Sequence, residues 1–136
     1  MNFVSKDIIT LLELSNDNSN FVFNEGENLF INYYPDIPDF IVSVFDTEGK
    51  APEVLLDGTK GIEFQNFQVR IRDKNNAYCE AIAFDIYQYL HGMNNFETEN
   101  YYYYYIQANH SPAFLEKDEK GRSVYVLNFN CIRKNK

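Results

Sequence analysis

At 136 residues, with 45% apolar and 17% aromatic side chains, all Phe or Tyr and no Trp, the chain suits one domain, 1–136, around one core. Twenty acids against twelve bases give a net charge of −8. That balance repels phosphate and anionic lipid and argues against free-standing nucleic-acid binding. The charge is segregated: residues 1–57 hold eleven acids and two bases, whereas residues 58–136 hold nine acids and ten bases. Residues 75–116 carry no Lys or Arg, so two basic islands, Lys60 to Lys74 and Lys117 to Lys136, frame an acidic middle. Such unevenness is either solvated surface charge or the mark of opposed electrostatic faces, which suit a protein that associates with copies of itself or with neighbours.

In chain order, Val4, Ile8, Leu11 and Leu12 recur at helical spacing and predict a short helix over about 6–15, with Ser5 as its cap and Asp7 favouring the N-terminal dipole. The Asn16 to Asn20 run breaks it. Phe21 to Phe23, Leu29 to Tyr34 and Phe40 to Phe45 read as three strands separated by turn residues and by Pro35 to Pro38, with the Pro-bounded piece near an edge. Phe67, Val69 and Ile71 alternate with Gln68, Arg70 and Arg72, the pattern of a half-buried strand. Ile62 and Phe64 are out of step with it, which predicts a bulge or bend near Gln65-Asn66.

Asn75-Asn76 caps a second helix over about 76–91, with Tyr78, Ile82, Ile86, Tyr89 and Leu90 as its apolar stripe, Cys79 and Ala83 widening it, and Gly92 as its stop. Tyr101 to Ala108 reads as a strand, Ser111 to Gly121 as a charged loop or hairpin arm, and Arg122 to Arg133 as a long final strand with Tyr125, Leu127, Phe129 and Cys131 on one face. The element order lacks regular βα alternation. It predicts an α+β fold, a mainly antiparallel sheet with a helix packed on one face and a short N-terminal helix.

The chemistry-bearing residues are sparse. Cys79, Cys131, His91 and His110 lack the paired spacing of a zinc site, and no phosphate-cradling or nucleophile motif occurs. The two cysteines read as buried thiols of a cytoplasmic protein without a signal peptide, and no apolar run is long enough to span a bilayer. Catalytic, metal and cofactor sites are therefore all expected to be absent. Acid pairs such as Glu97/Glu99 or Asp36/Asp39 read as surface charge. On a strand, the five tyrosines put Tyr101, Tyr103 and Tyr105 on one face and Tyr102 and Tyr104 on the other. With no cation between Lys74 and Lys117, a core on one side and a protein interface on the other fits them better than base stacking. Arg70 and Arg72 share an outer strand face that is either solvated or suited to carboxylate pairing with another copy, and Asp118-Glu119-Lys120-Gly121-Arg122 is a tight turn, with docking of a neighbour as an added role.

The segments Ile62 to Arg72, Ala77-Tyr78 with Ala81, Leu90-His91-Gly92, Ile106-Gln107-Ala108, Ser111-Pro112, Asp118 to Arg122, and Tyr125 with Asn128-Phe129 and Arg133 together resemble the minor capsid or tail terminator proteins of long-tailed bacteriophages. The resemblance covers roughly 40–134, with Phe45 to Gly49 a weaker match and the first forty residues matching loosely. It implies a non-enzymatic virion protein at the head–tail junction, made in the host cytoplasm. Such a subunit forms a ring, typically a hexamer, that caps the tail tube and meets the connector proteins, with no specific nucleic-acid or membrane binding. Candidate subunit-interface residues are Arg70, Arg72, Tyr102, Tyr104, Asp118, Glu119 and Arg122. DNA passing through a ring favours a lumen of carboxylates, for which Glu25, Glu27, Asp36 and Asp39 are the candidates. Another connector or tail tube subunit is the alternative, and a small carboxylate-based hydrolase a more distant one.

Overall fold

The computed structural model describes residues 2–18, 22–51, 54, 56, 58 and 61–136, with only the backbone of residues 17 and 18. Helix α1 (Val4–Leu14) ends in a 3₁₀ turn, Ser15–Asn18, and helix α2 spans Asn76–Leu90. The strands are β1 (Leu29–Ile31), β2 (Ile41–Lys50), β3 (Glu63–Asp73), β4 (Asn94–Glu97), β5 (Tyr101–Ala108), β6 (Ala113–Lys117) and β7 (Ser123–Asn135). They form one sheet in the order β1-β2-β3-β7-β5-β4, with β6 also paired to β7. Both helices pack on one face of it: α1 lies over β1, β2 and β3, and α2 over β7, β3 and β5. The α+β class and the antiparallel core of the sheet follow the alternation in the sequence.

Period-2 parity assigns the inner face. Val42 and Val44, Phe67, Val69 and Ile71, and Tyr125, Leu127, Phe129 and Cys131 bury beneath Ile8, Leu12, Ile82 and Ile86. Phe67 and Phe129 are register partners and stack with centroids 4.9 Å apart. Helix α2 begins where predicted, its Tyr78 amide donating to the Asn75 side chain at 3.0 Å. Its buried stripe is Cys79, Ile82, Ala83, Ile86 and Leu90, while Tyr78 is 41% exposed.

Several local expectations need correction. Helix α1 starts at Val4, so Ser5 lies inside it; the cap is tertiary, with the Asp46 carboxylate of β2 accepting from the Ser5 amide (3.0 Å) and hydroxyl (2.6 Å). Phe21 is outside the described residues, and Val22 and Phe23 form no strand; Phe23 is buried, with its amide and carbonyl satisfied by the Asn16 side chain. Strand β1 pairs parallel with β2. Parallel neighbours need a crossover, and residues 32–40 supply one as a strap across the outer face of the sheet.

No bulge interrupts β3, whose pairing with β7 runs unbroken from Glu63↔Arg133 to Asp73↔Ser123. The irregularity lies opposite, between Thr47 and Lys50 of β2. There a Cβ on Gly49 would meet the Phe64 carbonyl at 2.6 Å, so the bulged backbone needs glycine. Phe64 is out of step with Phe67 because it occupies the outer face, under the Lys50 ammonium. A second shift, between Tyr103 and Tyr105 of β5, puts Tyr105 opposite Ile132. Tyr105 therefore joins Tyr102 and Tyr104 on the outer side, contrary to simple alternation.

Candidate interface surfaces

Arg72 projects from β3 to the outer face, but the strap covers it. It is 1% exposed, donates to the carbonyls of Asp36 (3.3 Å), Pro38 (2.8 Å) and Asp39 (3.2 Å), and lies 4.9 Å from the Tyr34 ring centroid. The expected outer face is thus closed at this position, because a guanidinium with five donors can hold several carbonyls of an irregular segment at once. At the same end of the sheet Arg122, with its side chain 4% exposed, pairs with Asp118 (2.7 Å), Asp36 (3.0 Å) and Asp39 (3.4 Å). Lys120 adds a close contact to Asp36, and Lys74 reaches Asp39 at 3.2 Å.

Hydrogen bonds from Lys120 and then Arg122 hold the Asp36 carboxyl below its ordinary range. For Asp118 partial desolvation works the other way, yet the Arg122 amide and guanidinium prevail and lower it. The Asp118 to Arg122 segment is the tight turn expected, with Gly121 at φ +76°. Two arginines thus clamp the strap, and each of Asp36, Asp39, Asp118, Arg72 and Arg122 has partners within its own chain.

At the other end of β7 lies a third buried arginine, Arg133, which the sequence offered only as part of the family resemblance and not as a site. Arg133 continues the inward parity of Tyr125 to Cys131, and Asp7 sits on the inward face of α1, so each is a charge at an apolar position; that mismatch was the available signal. The Tyr103 hydroxyl donates to Asp7 Oδ2 at 2.6 Å and accepts from Arg133 Nη1 at 3.2 Å. Arg133 Nη2 donates to the Asn2 carbonyl at 3.0 Å, with Glu63 at 3.6 Å, and its guanidinium lies 3.6 Å from the Tyr101 ring centroid. Burial, then Asp7, pushes the Tyr103 phenol far up, so it stays a donor. Arg133 and Glu63 help line an open cavity of about 300 Å³ with Asn2, Phe3, Gln65 and Tyr101. Among the described residues no group of three or more His, Cys, Asp or Glu is arranged to hold a metal ion. His91 closes a local contact: its Nδ1 accepts from the Ala108 amide at 2.9 Å and its ring stacks on Tyr87.

The rest of the outer face is open and uncharged for most of its width. Asn66 and Gln68 of β3 stand opposite Asn130 and Asn128 of β7, and Gln68 donates to Asn128 at 2.9 Å. Asn109 and His110 extend this band of amides. Arg70 is half-buried, bonded to Gln68 at 2.8 Å beside the rings of Tyr34 and Phe45. Lys134 lies 5.8 Å from the ring centroids of both Tyr102 and Tyr104, which meet edge to face. Of the remaining sequence candidates, Glu119 is exposed at the turn after β6, and Glu25 and Glu27 are exposed at the turn before β1. Neither Glu25 nor Glu27 has a cation partner among the described residues, unlike Asp36 and Asp39.

The polar groups of this helix-backed, mainly antiparallel sheet thus serve ion pairs and amide contacts. A protein-family model described as bacteriophage tail terminator protein matches residues 7–135, and the chain belongs to that family. No curated protein matches the chain.

Proposed function

We propose that this chain is the ring-forming terminator subunit of a phage tail, capping the tail tube and joining it to the connector proteins of the head without catalysing a reaction. The observation that carries this reading is the family match over nearly the whole length, 7–135. It leaves little of the chain for a different activity. The polarised charge supports self-association, and the amide and tyrosine face offers satisfiable polar contacts to a neighbouring protein.

In this reading Arg70, Tyr102, Tyr104 and Glu119 are open to neighbouring subunits. Arg72, Asp118 and Arg122 act instead through the strap and turn that they hold. Glu25 and Glu27 suit a DNA passage better than Asp36 and Asp39, because their charge is not locally compensated. The location is the virion, at the head-proximal end of the tail. Electron microscopy of virions carrying an epitope-tagged chain tests this. Label confined to one ring at that end is the expected result; label along the tail or within the head would overturn it.

A further inference from the structure

The two broad sides of the molecule carry complementary chemistry. On the open sheet side, the paired positions of β2, β3, β7 and β5 that share the outer face hold Lys50, Arg70, Lys134, amides, hydroxyls, tyrosines and apolar residues beside the strap-covered Arg72, with no carboxylate among them; Glu48 sits in the β2 bulge, outside the register. The nearest acids by register are on flanking strands: Glu97 of β4, paired with Lys136 at 3.4 Å, and Glu116 of β6. The acids of the strap are occupied by Arg122, Lys120 and Lys74. On the opposite side the outward surface of α2 holds Glu80 and Asp85 and no cation, around an exposed stripe of Ala77, Ala81 and Phe84. Phe84 is 43% exposed although it is a large apolar residue on a well-packed helix. Glu80 lies by the Tyr125 hydroxyl.

We infer that the outward surface of α2 in one copy docks on the outer sheet face of the next, with Phe84 against Tyr102 and Tyr104 and with Glu80 and Asp85 facing Arg70 and Lys134. The partner is a second copy of this chain. Charge complementarity matches the two surfaces, which one molecule presents on opposite sides. Such a contact is heterologous, so it cannot close on itself as a two-fold dimer; it propagates, and forms a ring when the rotation per step divides a full turn. Small residues flanking Phe84 let the helix approach the flat sheet closely, and desolvated aromatic anchors supply most of the affinity of such contacts. The inference rests on the ring reading above and names the surfaces that make the ring.

The test uses the full chain, alone and added to isolated tail tubes, followed by native mass spectrometry and light scattering. Two variants reverse one surface each: Arg70→Glu with Lys134→Glu, and Glu80→Lys with Asp85→Lys. Lys134→Glu alone, at an exposed position, is a milder version that leaves the packing of Arg70 intact. Each double variant is expected to lose the ring, or to need at least tenfold more protein to form it, while keeping the far-ultraviolet circular dichroism of the wild type. Mixed in equal amounts, the two are expected to assemble again, because every reversed face then meets a reversed helix. Rings that form as readily in each folded variant as in wild type, or folded variants that fail to assemble on mixing, overturn the surface assignment and leave the ring reading standing. A wild-type chain that stays monomeric both alone and on tail tubes overturns the ring reading and this contact with it.

Discussion

Strand β7 has a buried arginine near each end, and the two are satisfied in opposite ways. Arg122 meets solvent-facing carboxylates, with the Asp36 side chain 62% exposed, whereas Arg133 meets Asp7 at 7% exposure. Both arginine side chains are 4% exposed. At Arg122 water can replace a lost acid, and salt screens what remains. At Arg133 the contact with Asp7 and Tyr103 is itself buried, behind the cavity that Glu63 and Tyr101 line, so little water can replace a lost partner, and Asp7, Tyr103 and Arg133 are expected to be kept together or lost together. The first arrangement pins a surface strap; the second joins α1 to the far end of the sheet.

The largest effect is expected at the dry end. Asp7→Ala leaves the Tyr103 hydroxyl without its acceptor and strips Arg133 of one of its two acid partners, Asp7 at 3.7 Å and Glu63 at 3.6 Å, and breaking a buried pair from one side costs about 3–5 kcal/mol. Equilibrium denaturation measures it, and a loss below ~1 kcal/mol would show that water reaches this site. Cys131 gives a second readout. Its thiol is pushed up to about 12, chiefly by burial, so it should not react with a disulfide reagent at pH 8 in the native wild type, and should react faster in Asp7→Ala. Because its folded value lies above that of the unfolded chain, its contribution is complete below about pH 8.5 and is lost as pH rises toward the folded value.

Next comes the wet end. Arg122→Ala should release the strap, seen as new protease cleavage within 33–40, with a thermal midpoint lowered by less than in Asp7→Ala. The pH dependence has the opposite sign to that of Cys131. The carboxyls of Asp36 and Asp118 are lowered on folding, so their stabilisation is present above their unfolded value near 3.8 and is lost as pH falls through the folded values. Protease sensitivity of the strap should therefore stay flat from pH 8 to 5 and rise below about pH 3.8. An increase already at pH 6 would assign the clamp to other groups.

The contrast also shows what the sequence could reveal. Alternation in Phe67 to Arg72 and Tyr125 to Cys131 displayed the inner face because burial there is one-sided, and Asn75 marked the start of α2 because capping is local. Nothing local marked Asp46 as the cap of α1, since the two are 41 residues from Ser5 to Asp46 along the chain. The same holds for the strap. Arg72 has the parity of an exposed residue, and only the parallel β1–β2 crossover turns it into a buried one. The shift in β5 moved Tyr105 across the sheet without any Gly or Pro to announce it. Short-range patterns show which face a strand buries; they do not show what a distant segment lays over the other face.

The smallest expected effect draws the boundary between the two ends most sharply. Lys74 meets Asp39 at 3.2 Å with side chains 66% and 41% exposed, and Arg122 also contacts Asp39, at 3.4 Å. Exposed pairs of this kind contribute ~0–1 kcal/mol, because ordering a long side chain offsets most of the screened attraction. Lys74→Ala should therefore leave the thermal midpoint almost unchanged at moderate salt and should not expose the strap to protease. If it did expose the strap, the clamp would depend on the summed charge around Asp36 and Asp39 and not on the hydrogen-bond geometry of Arg72 and Arg122. Repeating the digestion in high salt separates the two, because screening weakens a distributed charge effect while the bonds from Arg72 to the backbone carbonyls persist.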